Sequence, residues 1–279
     1  MSIRILDQEE YYKAREVYES VFPEDSKGFV DYYFTEVTKN NIIYVLEDGD
    51  KVCSMIHLNP YRAMINDTET LIHYIVAVAT LKEERSKGYM GQLLNRVLND
   101  MYDAGEVFTY LMPVAEAIYT PYDFRTVFRK QWEYCNVSDL SYREFGESDA
   151  DAYVNYINGF LDNNYMIYTL RDYEYYSRLI KEYKSDGATL MTKEDGERVI
   201  KVLPKVLEPS LTNTPYMVRI INVEKLVGML PSKIVDGINL EVEDKIICEN
   251  NSTSEKRIPI SEFTDILFKN IKVRFDEVV

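Results

Sequence analysis

Cysteine and histidine are scarce in this chain. The three cysteines, Cys53, Cys135 and Cys248, are far apart with no Cys-x-x-Cys pair, and the only histidines are His57 and His73. That pattern argues against a structural zinc site or a disulfide framework, and no metal is expected. Nowhere does the sequence approach the roughly 18 consecutive apolar residues of a membrane helix. The start, "MSIRILDQEEYYKAREVY", turns charged and helix-patterned within a few residues, unlike a secretion signal, so a cytoplasmic location is expected. There is no low-complexity tract and no internal repeat. Positive charge is also short: 32 Lys and Arg stand against 47 Asp and Glu, a formal charge of -15. Such a surface repels nucleic acid and anionic membrane and suits a cationic partner. Because the acidic residues are spread along the chain, they also serve as an ordinary solubilising surface.

What is present suits one large domain or two to three small ones over 279 residues. "SIRIL" reads as a strand, and Gln8 to Val21 as a helix with Tyr11, Ala14, Val17 and Tyr18 at helical spacing. "NIIYVLED" and "KVCSMIHLN" read as a hairpin turning at Gly49. "TLIHYIVAVATL" is apolar throughout its centre and predicts a strand buried on both faces. Leu93, Leu94, Val97, Leu98 and Met101 predict a helix that Gly105 ends, followed by the strand "VFTYLMP" and a short helix in "AEAIYTPYDF" broken at Pro121. From Tyr134 the character changes to two tyrosine-rich polar helices, "DADAYVNYINGFLDNN" and "RDYEYYSRLIKEYKSDG", then a hairpin turning at Gly196. Near Pro215 it changes again, to "YMVRIINVEKLVGML", a strand into a helix, and a last helix in "ISEFTDILFKN". The whole is a mixed α+β fold with boundaries that give units of residues 1–135, 136–214 and 215–279.

The stretch that carries chemistry is "VATLKEERSKGYMGQLL", Val78 to Leu94, a strand running through a charged loop into a helix. A helix N-terminus presents unpaired N–H groups and partial positive charge, glycine permits close approach, and Arg85 and Lys87 add charge. A pyrophosphate fits such a turn, and so does no ligand at all, because glycine-containing strand-to-helix junctions are common. The spacing matches neither the phosphate loop of nucleotide hydrolases nor the Gly-x-Gly-x-x-Gly of dinucleotide binders.

Arg85-Ser86-Lys87-Gly88-Tyr89-Met90-Gly91 resembles the acetyl-CoA loop of the GNAT N-acetyltransferases, Arg/Gln-x-x-Gly-x-Gly/Ala, with Met90 where that family has a small residue. The resemblance implies that main-chain groups of Val78 and Thr80 bind the pantetheine arm and that Arg85, Ser86, Lys87, Gly88, Tyr89, Met90 and Gly91 hold the pyrophosphate. "LMPVAEAIYTPYDF" resembles the family's segment after its fifth strand, which makes Tyr119 the acid for the departing sulfur, with Asp123 in place of the usual corner glycine. A phenol of pKa about 10 suits a thiolate whose conjugate acid lies near 8.5. Together with "PYMVRIINVEKL" and "FDEVV", these stretches resemble the Eis-like (enhanced intracellular survival) branch, which implies a shortened middle segment and a sterol-carrier-protein-like C-terminal domain. In that branch the terminal carboxylate, here that of Val279, enters the site as base or as anchor for the ammonium, and the proteins form homo-oligomers. The resulting expectation is an acetyl-CoA-dependent N-acetyltransferase acting on a primary amine (aminoglycoside, polyamine or protein lysine). A non-enzymatic acyl-CoA or lipid-binding protein is the alternative. Either histidine could line the acceptor site, and for both a structural role is the simpler reading.

Overall fold

The computed structural model describes residues 1–130, 142–193, 199–202, 213–235, 241–247 and 257–275. The first strand, Ser2–Ile5 (β1), leads into the helices Tyr11–Val21 (α1) and Lys27–Tyr32 (α2), the second continued by irregular helical turns to Asn40. Ile42–Asp48 (β2) and Lys51–Ile65 (β3) form the expected hairpin, with Gly49 at φ 61 supplying the left-handed residue of its turn. A second hairpin joins β3 to Thr68–Thr80 (β4) through Asn66, also left-handed at φ 53, a conformation asparagine tolerates. The glycine loop then opens Tyr89–Asp103 (α3), and Phe108–Leu111 (β5), Glu116–Tyr119 (α4) and Arg125–Lys130 (β6) complete the first half.

Beyond it lie Tyr142–Glu144 (β7), Glu147–Asn164 (α5), Ile167–Thr169 (β8), Tyr173–Ser185 (α6), Thr189–Lys193 (β9) and Val199–Val202 (β10). Thr214–Ile220 (β11), Val223–Met229 (α7), Ser232–Val235 (α8), Glu241–Glu243 (β12), Arg257–Pro259 (β13), Ile260–Phe268 (α9) and Val273–Arg274 (β14) follow. The boundary read near Glu133 to Asp139 and the turn at Gly196 lie outside the described residues. Among the described residues no helix is long and apolar enough to cross a membrane.

The main sheet runs β1-β2-β3-β4-β5-β11-β6, with β8 added to β3 and β14 to β8. Its neighbours are antiparallel except for β4 with β5 and β8 with β14. The strand of residues 214–220 thus lies between β5 and β6, inside the sheet built by the first 130 residues. β3 is longer than the expected "KVCSMIHLN", running on through Pro60 to Ile65. Pro60 is accommodated because β2 ends opposite Leu58 and β8 begins opposite Ala63. Between them β3 has a strand on β4's side alone, and a missing N–H there costs little.

α1 and α2 cover one face, packing Val17, Phe29, Val30 and Tyr33 on Ile43, Val45, Met55, Ala77 and Ala79. On the other face lies α3, whose Leu93, Leu94, Val97, Leu98 and Met101 are all buried as their spacing requires. The middle segment has a small core of its own from Phe145, Ala150, Tyr176, Ile180, Tyr183 and Leu190.

An ion pair joins β11 to the segment after β12 in the interior. Arg219 on β11 pairs with Asp244 at 2.7 Å, and both side chains are fully buried. Asp244 also accepts from the main-chain N–H groups of Ile246 and Ile247 at 2.9 Å each. Replacing Asp244 with Ala leaves the guanidinium buried beside main-chain carbonyls alone. Removal of one partner from such a pair costs about 3–5 kcal/mol. A urea titration of Asp244→Ala is expected to show a loss of that size, and a loss under about 1 kcal/mol would mean that the pair holds nothing in place.

Candidate functional site

The sheet opens at its centre. Between Met55–Ala79 and His57–Val76 the β3–β4 ladder shifts register, so Ala77 and Val78 together oppose Ile56. This is a β-bulge, and Ala77 adopts φ 49, a conformation alanine enters at a cost of order 1–3 kcal/mol. On the far side, β4 and its parallel neighbour β5 are in register at Tyr74 and Tyr110. Main-chain groups alternate in direction along a strand. The Leu81 N–H donates to the Cys53 carbonyl on β3 at 3.0 Å, so the polar groups of Thr80 and Val78 turn the opposite way, toward β5. Arg85 Nε reaches the Thr80 carbonyl from that side at 3.2 Å. Beyond Tyr74–Tyr110 the two strands form no further ladder pair, so these main-chain donors and acceptors of β4 line a wedge on its β5 side.

The loop at the mouth of this wedge has two left-handed residues, Ser86 at φ 64 and Gly88 at φ 79. Gly88 immediately precedes α3 and offers no side chain to cap it, leaving the first-turn N–H groups of Tyr89, Met90 and Gly91 to an outside partner. Arg85, Ser86, Lys87 and Gly88 are exposed, whereas Tyr89 and Gly91 are buried and Met90 is half-buried. The Tyr89 ring and the Met90 side chain pack on the core, so main-chain amides are what those residues present to the loop side. Lys87 pairs with Glu84 at 2.7 Å, and Lys51 with Glu83 and Glu84 at 3.1 and 3.0 Å. Gly91 lies against the Tyr122 hydroxyl, and a Cβ built there would displace that ring.

Tyr122 comes from the corner that follows β5. There Asp123 adopts φ 64 and ψ 19, the left-handed conformation a glycine would take, so the corner turns despite the substitution. Tyr119, three residues earlier, is 7 % exposed and stands edge-on to Phe124 with ring centres 5.9 Å apart. Burial pushes its phenol up to about 12, which keeps the proton on it through the neutral range. Arg219 Nε donates to the Tyr122 carbonyl at 3.4 Å, tying the corner to β11.

Both histidines are interior. His73 Nδ1 lies 2.7 Å from Glu106 Oε1, and its main-chain N–H donates to Glu106 Oε2 at 3.2 Å, a brace between β4 and the turn before β5. His57 is fully buried, with Nδ1 2.9 Å from the Tyr33 hydroxyl, and burial lowers its pKa to about 3. Val279 lies outside the described residues; the chain leading to it places Phe275 in a stack on Tyr110 with ring centres 4.4 Å apart. Sequence reading missed the bulge, the Phe275–Tyr110 stack and the polar group around His57. A positive φ at alanine has no sequence signal, and contacts so far apart in sequence have none either.

The unfolded chain binds a proton at His57 near pH 6.5, whereas the folded chain does not until about pH 3. Between those values the unfolded state holds more protons, so this residue's contribution to stability is full above pH 6.5 and falls as pH drops. Its slope is at most about 1.4 kcal/mol per pH unit. Urea midpoints measured between pH 7 and 5 are expected to fall, and less steeply for His57→Phe; an identical pH dependence in the variant would assign the titration to other groups.

Residues 2–127 match the family model described as an acetyltransferase (GNAT) domain. Among curated proteins none matches the chain by sequence. In fold, the chain is similar to a conserved protein of unknown function from Enterococcus faecalis V583 described as a probable N-acyltransferase, with TM-score 0.68 and 12 % identity over 96 % of this chain and 89 % of that one. It is also similar to Eis1 from Mycobacterium abscessus, with TM-score 0.64 and 10 % identity over 96 % and 90 % of the two chains. A GCN5-related N-acetyltransferase from Anabaena variabilis gives TM-score 0.63 and 12 % identity over 94 % and 89 %. Residues 2–127, which contain the bulged strand, the wedge and the uncapped helix, thus match a GNAT acetyltransferase domain, and that match supports an acetyl-transferring enzyme.

Proposed function

We propose that the chain is an acetyl-CoA-dependent N-acetyltransferase that acts on a primary amine by direct attack in a ternary complex. The observation that carries this reading is the wedge between β4 and β5, open beyond Tyr74–Tyr110 and ending at the uncapped first turn of α3. An extended arm with amide groups fits a cleft whose walls are main-chain donors and acceptors. A pyrophosphate fits a helix N-terminus approached over Gly88, where a Cβ would meet nothing within 4 Å. Val78 and Thr80 then bind the arm, and the amides of residues 86–91, with Arg85 and Lys87 beside them, hold the pyrophosphate.

In the reaction the amine nitrogen attacks the thioester carbon, the C–S bond breaks, and the departing sulfur takes a proton from the Tyr119 hydroxyl, which is restored by the proton that the attacking nitrogen gives up as it becomes an amide. Main-chain N–H groups at Val78 or Thr80 stabilise the oxyanion formed on the way. The amine, with pKa about 10.4 when free, must lose its proton before attack. We assign that step, or the anchoring of the ammonium, to Val279, four residues beyond Phe275, whose ring stacks on Tyr110 of β5. Aminoglycosides, polyamines and protein lysines all carry the amine that this chemistry needs, and an acidic protein attracts each of them. The Eis-like reading of the whole chain, with units 1–135, 136–214 and a sterol-carrier-like 215–279, has as support the likeness in fold to Eis1 over 96 % of the chain, whereas the pairing of residues 214–220 with β5 and β6 ties the start of the last unit into the first unit's sheet.

Two substitutions separate binding from chemistry. Gly88→Glu puts a carboxylate where the pyrophosphate sits, and calorimetric titration with acetyl-CoA is expected to show affinity falling by about tenfold or more, the equivalent of 1.4 kcal/mol. Equal affinity would refute the loop assignment. Tyr119→Phe is expected to bind acetyl-CoA as tightly as the parent chain while releasing thiol about 10²-fold more slowly with an amine panel. A fully active Tyr119→Phe would remove that residue from the mechanism, and binding without turnover in the parent chain would favour an acyl-CoA-holding protein.

A further inference from the structure

His57 Nε2 and Asn59 Nδ2 are buried and make no hydrogen bond to any described residue. The two residues, at 0 % and 1 % exposure, are alternate members of β3 and share one face. Register places them opposite Val76 and Tyr74, just before the bulge at Ala77. The rings of Tyr33 and Phe34 cover His57 with centres 5.7 and 6.0 Å away.

The surrounding hydrogen bonds decide where the protons are. Asn41 Nδ2 donates to Asn59 Oδ1 at 2.6 Å and to the Tyr33 hydroxyl at 3.4 Å. The Tyr33 hydroxyl, already an acceptor, pairs its own proton when it donates to His57 Nδ1, 2.9 Å away, and that is the arrangement taken for the site. With Nδ1 accepting, the neutral imidazole carries its one proton on Nε2. Asn59 Nδ2 is an N–H donor as well. Leaving a buried donor unpaired is costly, so two on one face call for a common acceptor. Side chains two residues apart on a strand are about 6.6 Å apart at their roots, so tips that lean together by about 1 Å come within the roughly 5.8 Å that an oxygen accepting two bonds of about 2.9 Å bridges.

We propose that His57 and Asn59 form a two-donor site for one hydrogen-bond-accepting oxygen beside the β4 bulge. The oxygen is that of a held water or a carbonyl oxygen of the bound substrate or product. An ammonium group, which has only donors, cannot occupy it. His57 is accordingly a fixed donor that positions an oxygen, and it does not take the amine's proton. The role in acetyl transfer rests on the proposed function, whereas the existence of the two-donor site does not.

The test begins with the full chain carrying ¹⁵N-histidine. A long-range ¹H–¹⁵N spectrum at pH 7 is expected to show His57 protonated at Nε2, and a proton on Nδ1 would overturn the proposal. Crystals of the free protein and of its complex with N-acetyllysine amide then identify the oxygen. Density bonded to both nitrogens in each crystal indicates water, and its replacement by the acetamide carbonyl indicates a product oxygen. No oxygen in either crystal would overturn the site. Asn59→Asp keeps the acceptor that Asn41 uses and exchanges the donor for a second acceptor; it is expected to lose the shared oxygen and keep the His57 tautomer. Retention of the oxygen on His57 and the new carboxylate would count against a two-donor site. None of these readouts needs turnover, so an inactive chain would refute the proposed function and leave the two-donor site standing.

Discussion

The parting of β4 from β5 is the constraint on which the rest of the structure depends. A parallel pair held together along its whole length would close the sheet with main-chain hydrogen bonds and leave nothing to offer a ligand. Here the pair is in register at Tyr74 and Tyr110, and the bulge at Ala77 turns β4 as it leaves. Thr80 and Val78 then direct polar groups into a wedge in place of a ladder. The cost, a left-handed alanine and main-chain groups outside the sheet, is offset by long antiparallel pairing of β3 with both β2 and β4.

Opening a sheet at its centre demands support on both sides. On one side α1 and α2 press Tyr33 and Phe29 on β2 and β3, and on the other α3 fills the opposite face with a row of leucines. β5 gains its second neighbour from β11, whose Arg219 reaches both Asp244 and the Tyr122 carbonyl. The corner that carries Tyr119 is therefore held from the last third of the chain. Phe275 adds a further contact, stacking on Tyr110 at the point where the strands begin to part.

Buried polar groups near the wedge have distinct tasks set by their surroundings. Glu106 braces His73 across β4 and the turn before β5, while Tyr33, Asn41 and Asn59 form a chain of hydrogen bonds around His57. Desolvation keeps His57 neutral and Tyr119 protonated, so neither changes charge near neutral pH. Of these, Tyr119 and the two histidines are singled out by the sequence, Tyr119 by the short stretch it sits in, whereas Tyr33, Asn41, Asn59 and Glu106 have no local signal.

Sequence alone determined the local elements: the hairpin at Gly49, the buried strand ending in "AVAT", the amphipathic spacing of α3 and the glycine loop between them. Each is encoded within some fifteen residues by periodicity or by a residue that permits one backbone conformation. Tertiary structure decided what those elements do together. Pro60 stays within a strand because its neighbours on one edge leave a gap, Gly91 lies against the Tyr122 hydroxyl, and residues 214–220 complete a sheet begun two hundred residues earlier. Such facts come from contacts between segments distant in the chain, and no local pattern of side chains carries them.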